Sequence, residues 1–125
     1  MVMKVEAIVR EEKLDDIKTA LLGHGISGAT VSEVMGFGTQ RGYKEMVRGT
    51  EVVVQLRRKL KIEVVVPDEA EADEVVALIR DAAYTGRIGD GKIFVYPLTR
   101  AVRIRSGEDG VDAVASVGAQ PAERG

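Results

Sequence analysis

The apolar residues of this chain change their spacing several times along its length. They alternate with polar residues over positions 3–10, which is typical of a strand, and recur every three or four positions over 13–24, which is typical of an amphipathic helix. A second strand is predicted over positions 29–37. The valine-rich stretch 50–66 predicts the longest strand of the chain.

The second half of the chain begins with a helix signal. Asp68 can cap the free N–H groups of a first helical turn, and Glu71, three residues later, completes a capping box. This helix is predicted to run to about Tyr84, and a strand follows over 92–96. Alternation returns over 101–105, which predicts an additional strand near the C-terminus.

This order of elements predicts an α+β domain with the split arrangement βαββαβ. Two helices would cover one face of the sheet and leave the other face for a partner. We assign residues 1–106 to this domain. Residues 107–125 are small, polar and acidic, and this composition predicts a flexible C-terminal tail.

Composition narrows the class of protein. With 125 residues the chain is long enough for one domain, and a net charge of −2 argues against a nucleic-acid partner. There is no cysteine, which excludes disulfides and thiolate metal sites. Neither a leader nor a membrane-spanning run is visible, so we expect a cytoplasmic protein.

The stretch TGRIGDGKIFV, residues 85–95, combines three glycines with charged residues. Gly86, Gly89 and Gly91 permit backbone conformations in which successive N–H groups converge on an anion, and Arg87 and Lys92 add positive charge. The spacing differs from that of a P-loop. The alternative is that the glycines only end a helix and turn the chain.

Two arginines favour the anion-binding interpretation. Arg103 and Arg105 are two residues apart on a predicted strand, so their guanidinium groups would share one face with Cα atoms about 6.5–7 Å apart, suited to adjacent phosphates. With Lys92 they would form a three-cation cluster beside the glycine turn. Polyphosphate binding is therefore the favoured hypothesis, and a solvated strand face is the alternative.

Other polar residues are weaker candidates. Gln40, after the glycine turn at Gly36 and Gly38, could coordinate a ligand through its carbonyl oxygen, and Lys59 could neutralise a carboxylate. His24 is predicted at a helix end away from the cations, in a surface role. No spacing indicates a metal site built from protein side chains alone, so any Mg²⁺ would come with a nucleotide.

Five segments together resemble the PII nitrogen-regulatory signal-transduction proteins. They are TVSEVMGFGTQRG, VRGTE, KIEVVVPD, AAYTGRIGDGKIFV and VRIRSGE, and the resemblance runs from about Met3 to Glu108. It implies a homotrimer of ferredoxin-like subunits, with a nucleotide in each cleft between neighbours. It also implies a long T-loop over about residues 37–55.

The resemblance also assigns roles to individual residues. It implies that the phosphates of ATP or ADP are bound by Gly36, Gly38, Gly86, Arg87, Ile88, Gly89, Asp90, Gly91, Lys92, Arg103 and Arg105, and the adenine by Thr30 and Val65. Gln40 would bind Mg²⁺ beside ATP. The 2-oxoglutarate site would be formed by Gln40, Lys59 and Gly89, with Lys59 paired to a carboxylate, and Arg48 would enter a target such as an ammonium channel.

The T-loop departs from the family pattern. Val47 and Val52 stand where many members have tyrosines, so the family's nucleotidylylation cannot occur at Val52. Thr50 aligns with a serine that is phosphorylated in some relatives, but we expect no modification there. Thr39 replaces a common arginine, which removes one possible phosphate contact.

We therefore expect a non-enzymatic sensor of nitrogen, carbon and energy status. Its T-loop would regulate an ammonium channel or nitrogen-metabolism enzymes and regulators, with membrane association only through a channel. Two alternatives stay open: a ferredoxin-like phosphotransfer or phosphohydrolase enzyme, and a structural or metal-tolerance trimer without nucleotide.

Overall fold

The computed structural model describes residues 1–38 and 56–114. The strands are β1 (Met3–Val9), β2 (Thr30–Gly36), β3 (Arg57–Val66) and β4 (Gly91–Pro97). The helices are α1 (Leu14–Gly23), preceded by a 3-10 turn (Glu11–Lys13), then α2 (Glu69–Ala83) and α3 (Val111–Val114). Within these ranges, none of the helices has the length and apolar character needed to cross a membrane.

The four strands form one antiparallel sheet in the order β2-β3-β1-β4. The predicted α+β arrangement is thus confirmed, and at 10 residues β3 is the longest strand described, as its valine-rich sequence predicts. Residues 50–55, the start of the predicted long strand, lie outside the described residues. The strand predicted over 92–96 extends to Pro97.

Both long helices pack on the same face of the sheet. Every second residue of β1 is buried, from Met3 to Val9, and these side chains meet one apolar face of α2 and the buried residues Ile17 and Leu21 of α1. Val75 and Ile79 of α2 are fully buried. The period-two and helical patterns therefore identified the core correctly, because the side chains that share a face in each element are buried together.

Only one of the two hydrogen bonds of the predicted capping box forms at the start of α2. Asp68 accepts a hydrogen bond from the Glu71 amide at 2.8 Å, as expected of an N-cap. The Glu71 carboxylate instead lies 2.8 Å from Nε2 of His24, at the end of α1. The predicted reciprocal bond is thus replaced by a contact that ties the two helices together.

The opposite face of the sheet carries charged and aromatic side chains. Lys4 lies 3.1 Å from Glu63 across β1 and β3, and this hydrogen bond raises the pKa of Lys4. Tyr96 donates a hydrogen bond to Glu6 at 2.8 Å. Neither helix covers this face, as the sequence predicted.

The predicted strand over 101–105 is wrong. Val102 makes only an isolated bridge with Asp109, because the chain folds back on itself: the Gly107 amide donates to the Arg103 carbonyl at 2.7 Å. Ile104, placed on the apolar face of that strand by its alternation, is 99 % exposed. Helix α3 follows within the segment predicted as a tail, whose flexibility and boundary stay predictions.

Candidate functional site

The glycine turn is organised by Asp90. Its carboxylate accepts hydrogen bonds from the amides of Thr85 (2.8 Å) and Gly86 (2.9 Å) and from the Thr85 hydroxyl (2.5 Å). The Arg87 amide donates to the same hydroxyl at 3.0 Å. Two amides of the predicted anion nest, those of Gly86 and Arg87, are therefore already satisfied inside the turn, as is the Thr85 amide before it.

The amides that follow them remain suited to an anion. Within the described residues we find no acceptor for the amides of Ile88 and Gly89, while a turn at 88–89 brings the Asp90 amide to the Arg87 carbonyl. Gly86, Gly89 and Gly91 have positive φ angles of 88°, 105° and 108°, which favour glycine. The turn can thus present consecutive N–H groups, as in an anion-binding nest, but over a shorter stretch than the sequence suggested.

Arg10 is a residue that sequence reasoning missed. Its Nε donates to Asp90 at 3.0 Å and its Nη2 to the Ile88 carbonyl at 3.0 Å, which fastens the turn to the end of β1. The contact joins residues 80 positions apart, and no local pattern reports it. The only signal in the sequence was that Arg10 is the last residue of the strand predicted over 3–10.

Lys59 lies at the same end of the sheet. Its Nζ donates to the Gly89 carbonyl at 2.5 Å, which joins two of the residues predicted for 2-oxoglutarate. Burial lowers the pKa of Lys59, and the positive charges of Arg10 and Arg57 lower it further. Converging positive charge of this kind favours an anionic ligand.

Neutralising Asp90 tests its role in the turn. Its hydrogen bonds with Thr85, above all, hold the pKa of Asp90 well below its usual range. The carboxylate therefore stabilises the fold above the unfolded pKa of about 3.9, and this contribution is lost as pH falls through and below that value. We expect Asp90→Asn to lower Tm at pH 7, by an amount that shrinks below about pH 4.

Thermal unfolding followed by circular dichroism from pH 7 to pH 3 measures this difference. Asp73→Asn, on α2, is the matched control because no hydrogen bond or ion pair is described for that carboxylate. If the difference in Tm between Asp90→Asn and wild type stays constant with pH, the negative charge of Asp90 does not contribute to stability.

A cavity of about 750 Å³ opens at the opposite end of the sheet. Its walls are the connection between α1 and β2, the end of β3, Arg103 and the end of α3. Thr30 and Val65, the residues predicted for the adenine, both line it. The cavity therefore brings together three of the predicted nucleotide-binding residues.

The predicted three-cation cluster is wrong for a single chain. Lys92 pairs with Ile8 near the start of β4, whereas Arg103 lines the cavity at the other end of the sheet. Arg105 is exposed in a turn and does not share a strand face with Arg103. The cause is the missing strand over 101–105, on which the predicted shared face depended.

His24 differs from its prediction in one respect. It does cap the end of α1, but it lines the same cavity as Arg103 instead of lying away from it. The connection between α1 and β2 brings it there. Its contact with Glu71 thus forms part of the cavity wall.

The predicted site residues fall into two groups in one chain. Gly36, Lys59 and the turn 86–92 lie at one end of the sheet, and Thr30, Val65 and Arg103 at the other. Val65 lies six positions after Lys59 along β3, which is about 20 Å of extended strand. Residues of both groups contact one small ligand only if different chains supply them.

Several predicted residues cannot be placed. Gln40, Arg48, Thr39, Thr50 and the two valines at the tyrosine positions, Val47 and Val52, lie outside the described residues. Gly38 is described and follows β2. The part of the chain that is described contains no group of three or more His, Cys, Asp or Glu side chains suited to a metal.

The fold, with its glycine turn and open sheet face, is that of a small α+β domain of the ferredoxin-like class. The sequence model of the family "Nitrogen regulatory protein P-II" matches residues 2–108. This chain belongs to that family, as its motifs predicted.

Individual relatives agree with the family match. The P-II proteins of Haemophilus influenzae and of Synechocystis sp. are 51 % and 55 % identical over 111 residues, which cover 89 % of this chain and 98 % of each relative. A solved B. subtilis GlnK–ATP complex superposes with a TM-score of 0.78 at 36 % identity, covering 90 % of this chain and 96 % of that one.

Proposed function

We propose that this protein is a non-enzymatic sensor that binds ATP or ADP in clefts between subunits of a homotrimer. With Mg-ATP it binds 2-oxoglutarate. The conformation of its T-loop then reports the ligand state to a target, either an ammonium channel or a nitrogen-metabolism enzyme or regulator. The setting is the cytoplasm, and Arg48 is the T-loop residue that enters the target.

The observation that carries the nucleotide site is the division of its residues between two ends of the sheet. The cavity lined by Thr30, Val65 and Arg103 supplies one half, and the amides of Ile88 and Gly89 with Lys92 supply the other. A neighbouring chain that places its turn against this cavity completes a site for base and phosphates together. The similar GlnK structure in complex with ATP supports the ligand class.

The 2-oxoglutarate site is supported by the electrostatics at Lys59. The ammonium group lies at the Gly89 carbonyl beside Arg10, and its lowered pKa reflects burial and nearby positive charge. A carboxylate that replaces the Gly89 carbonyl as acceptor adds a full negative charge to a hydrogen bond whose donor is already positive. Mg²⁺ held by ATP and Gln40 would complete the site, since this ion takes few protein ligands beside phosphates.

Titration calorimetry tests the proposal. Wild type is expected to bind ATP and ADP, and 2-oxoglutarate only with saturating Mg-ATP. We expect Lys59→Gln to weaken 2-oxoglutarate binding by about 10- to 100-fold, because a hydrogen bond between charged groups is lost. Lys61→Gln, two residues along the same face of β3, is the matched control and should bind as wild type.

The outcomes separate the parts of the proposal. Failure of wild type to bind either nucleotide overturns the proposed function. Nucleotide binding without 2-oxoglutarate binding overturns only the metabolite-sensing part. Equal losses in the Lys59 and Lys61 variants would assign the effect to the charge of the sheet face instead of to a specific contact.

One observation favours a second function, phosphate hydrolysis. His24 and Arg103 line the same cavity, and Glu71 lies 2.8 Å from Nε2 of His24, as an orienting carboxylate would. Steady phosphate release from ATP by wild type that disappears in His24→Ala would establish this activity. If phosphate is released no faster than in buffer without protein, the hydrolysis hypothesis is excluded and the sensor function is retained.

A further inference from the structure

The guanidinium group of Arg103 is held by the C-terminal residues of its own chain. Nε and Nη2 donate to the Ala113 carbonyl at 3.3 and 3.0 Å, and a carboxylate oxygen of Glu108 lies 3.8 Å from Nε. The side chain is only 19 % exposed. The Nε and Nη2 edge of the guanidinium group therefore faces the end of α3.

Backbone hydrogen bonds fix this arrangement. The Arg103 amide donates to the Glu108 carbonyl at 2.8 Å, and the Gly110 amide donates to the Ala101 carbonyl at 2.9 Å. The Ala113 amide donates to the Gly110 carbonyl at 3.0 Å, which begins the single turn of α3. We call residues 108–114 the C-terminal clasp.

The clasp occupies space and hydrogen bonds that a nucleotide needs. Ala113 and Val114 line the cavity together with Thr30 and Val65. The Nε and Nη2 edge of an arginine is suited to gripping two phosphate oxygens, and here it grips one carbonyl. A phosphate at this edge has to displace that carbonyl and also meets the negative charge of Glu108.

We infer that the C-terminal clasp is an intramolecular competitor of the nucleotide for Arg103. The inference rests on the proposed nucleotide binding at this cavity. Arg103 exchanges between the clasp and the ligand, so the apparent Kd equals the intrinsic Kd divided by the fraction of chains with an open clasp. The family match ends at residue 108, so α3 lies beyond the segment that the family shares.

Two substitutions in the full chain open the clasp by different means. Val114→Pro disfavours the helical conformation of Ala113 and so moves the carbonyl that holds Arg103. Glu108→Gln removes the negative charge beside the guanidinium while keeping the side-chain shape. Ala119→Pro makes the same kind of change beyond the clasp and serves as the control.

Calorimetric titration with ATP measures the effect. If the clasp is closed in most chains, we expect the Kd of Val114→Pro to fall by about three- to tenfold and that of Glu108→Gln to fall by less. Ala119→Pro should bind as wild type. In hydrogen exchange on the wild-type chain, the amides of Ala113 and Val114 should exchange faster when ATP is added.

The results that would overturn the inference are distinct. If wild type binds ATP and neither clasp variant binds more tightly, the clasp does not compete with the nucleotide. Slower exchange at 113–114 with ATP would make α3 a wall of the occupied site instead of a competitor. If wild type does not bind ATP at all, the proposed function fails and the clasp inference fails with it.

Discussion

Replacing Gly91 with alanine is expected to destabilise the fold by about 2–5 kcal/mol. Gly91 begins β4 with φ of 108°, and a Cβ at this position would lie 1.8 Å from the carbonyl oxygen of Ile8. The backbone of β1 supplies that oxygen, so no side-chain rotation relieves the overlap. The two strands have to separate at the end that carries the glycine turn.

Urea unfolding at one protein concentration measures this loss, since assembly into the proposed trimer would make stability depend on concentration. Gly107→Ala is the matched control: its φ is 77°, but a Cβ there would meet nothing within 4 Å. We expect the control to cost only the conformational term, about 1–2 kcal/mol. Equal losses in the two variants would mean that the contact with Ile8 has no effect.

Lys92→Ala is expected to weaken ATP binding by about 10- to 100-fold without changing the fold. Lys92 is exposed at the second position of β4, close in sequence to the amides of Ile88 and Gly89 that are suited to phosphate. Loss of its ammonium group removes a charge-assisted hydrogen bond from the phosphate half of the proposed site.

The comparison variant is Lys18→Ala, on α1 in the helical layer, which removes the same charge far from the turn. Both variants should give the wild-type far-UV spectrum, and only Lys92→Ala should show the increase in Kd by titration calorimetry. A loss of similar size in the two variants would attribute ATP binding to overall charge.

The sequence predicted the sheet and helices because burial repeats with the period of each element. The alternation from Met3 to Val9 and the cap at Asp68 both appear as predicted. The same argument failed over 101–105, where the alternating residues satisfy their backbone groups through a local turn. A period of two shows that a strand is possible, but pairing has to come from a neighbouring strand.

The site was predictable in its residue types and not in its connections. Glycines and cations marked the turn, but the link from Arg10 to Asp90 crosses 80 positions and has no local signal. The contact of Arg103 with Ala113 could not be predicted either, because the composition of the tail does not indicate the helical turn that positions Ala113. Long-range hydrogen bonds of this kind follow from the fold once the strands are paired.

The placement of the cavity and the turn at opposite ends of β3 has a consequence for how binding is measured. In the proposed site between subunits, a ligand that contacts both Val65 and Lys92 bridges two chains, so its retention depends on their association. Dilution of the protein then releases the ligand as the chains separate, and the ligand in turn holds them together. The affinity for the ligand and the affinity between subunits are then thermodynamically linked, so that a change in one changes the other.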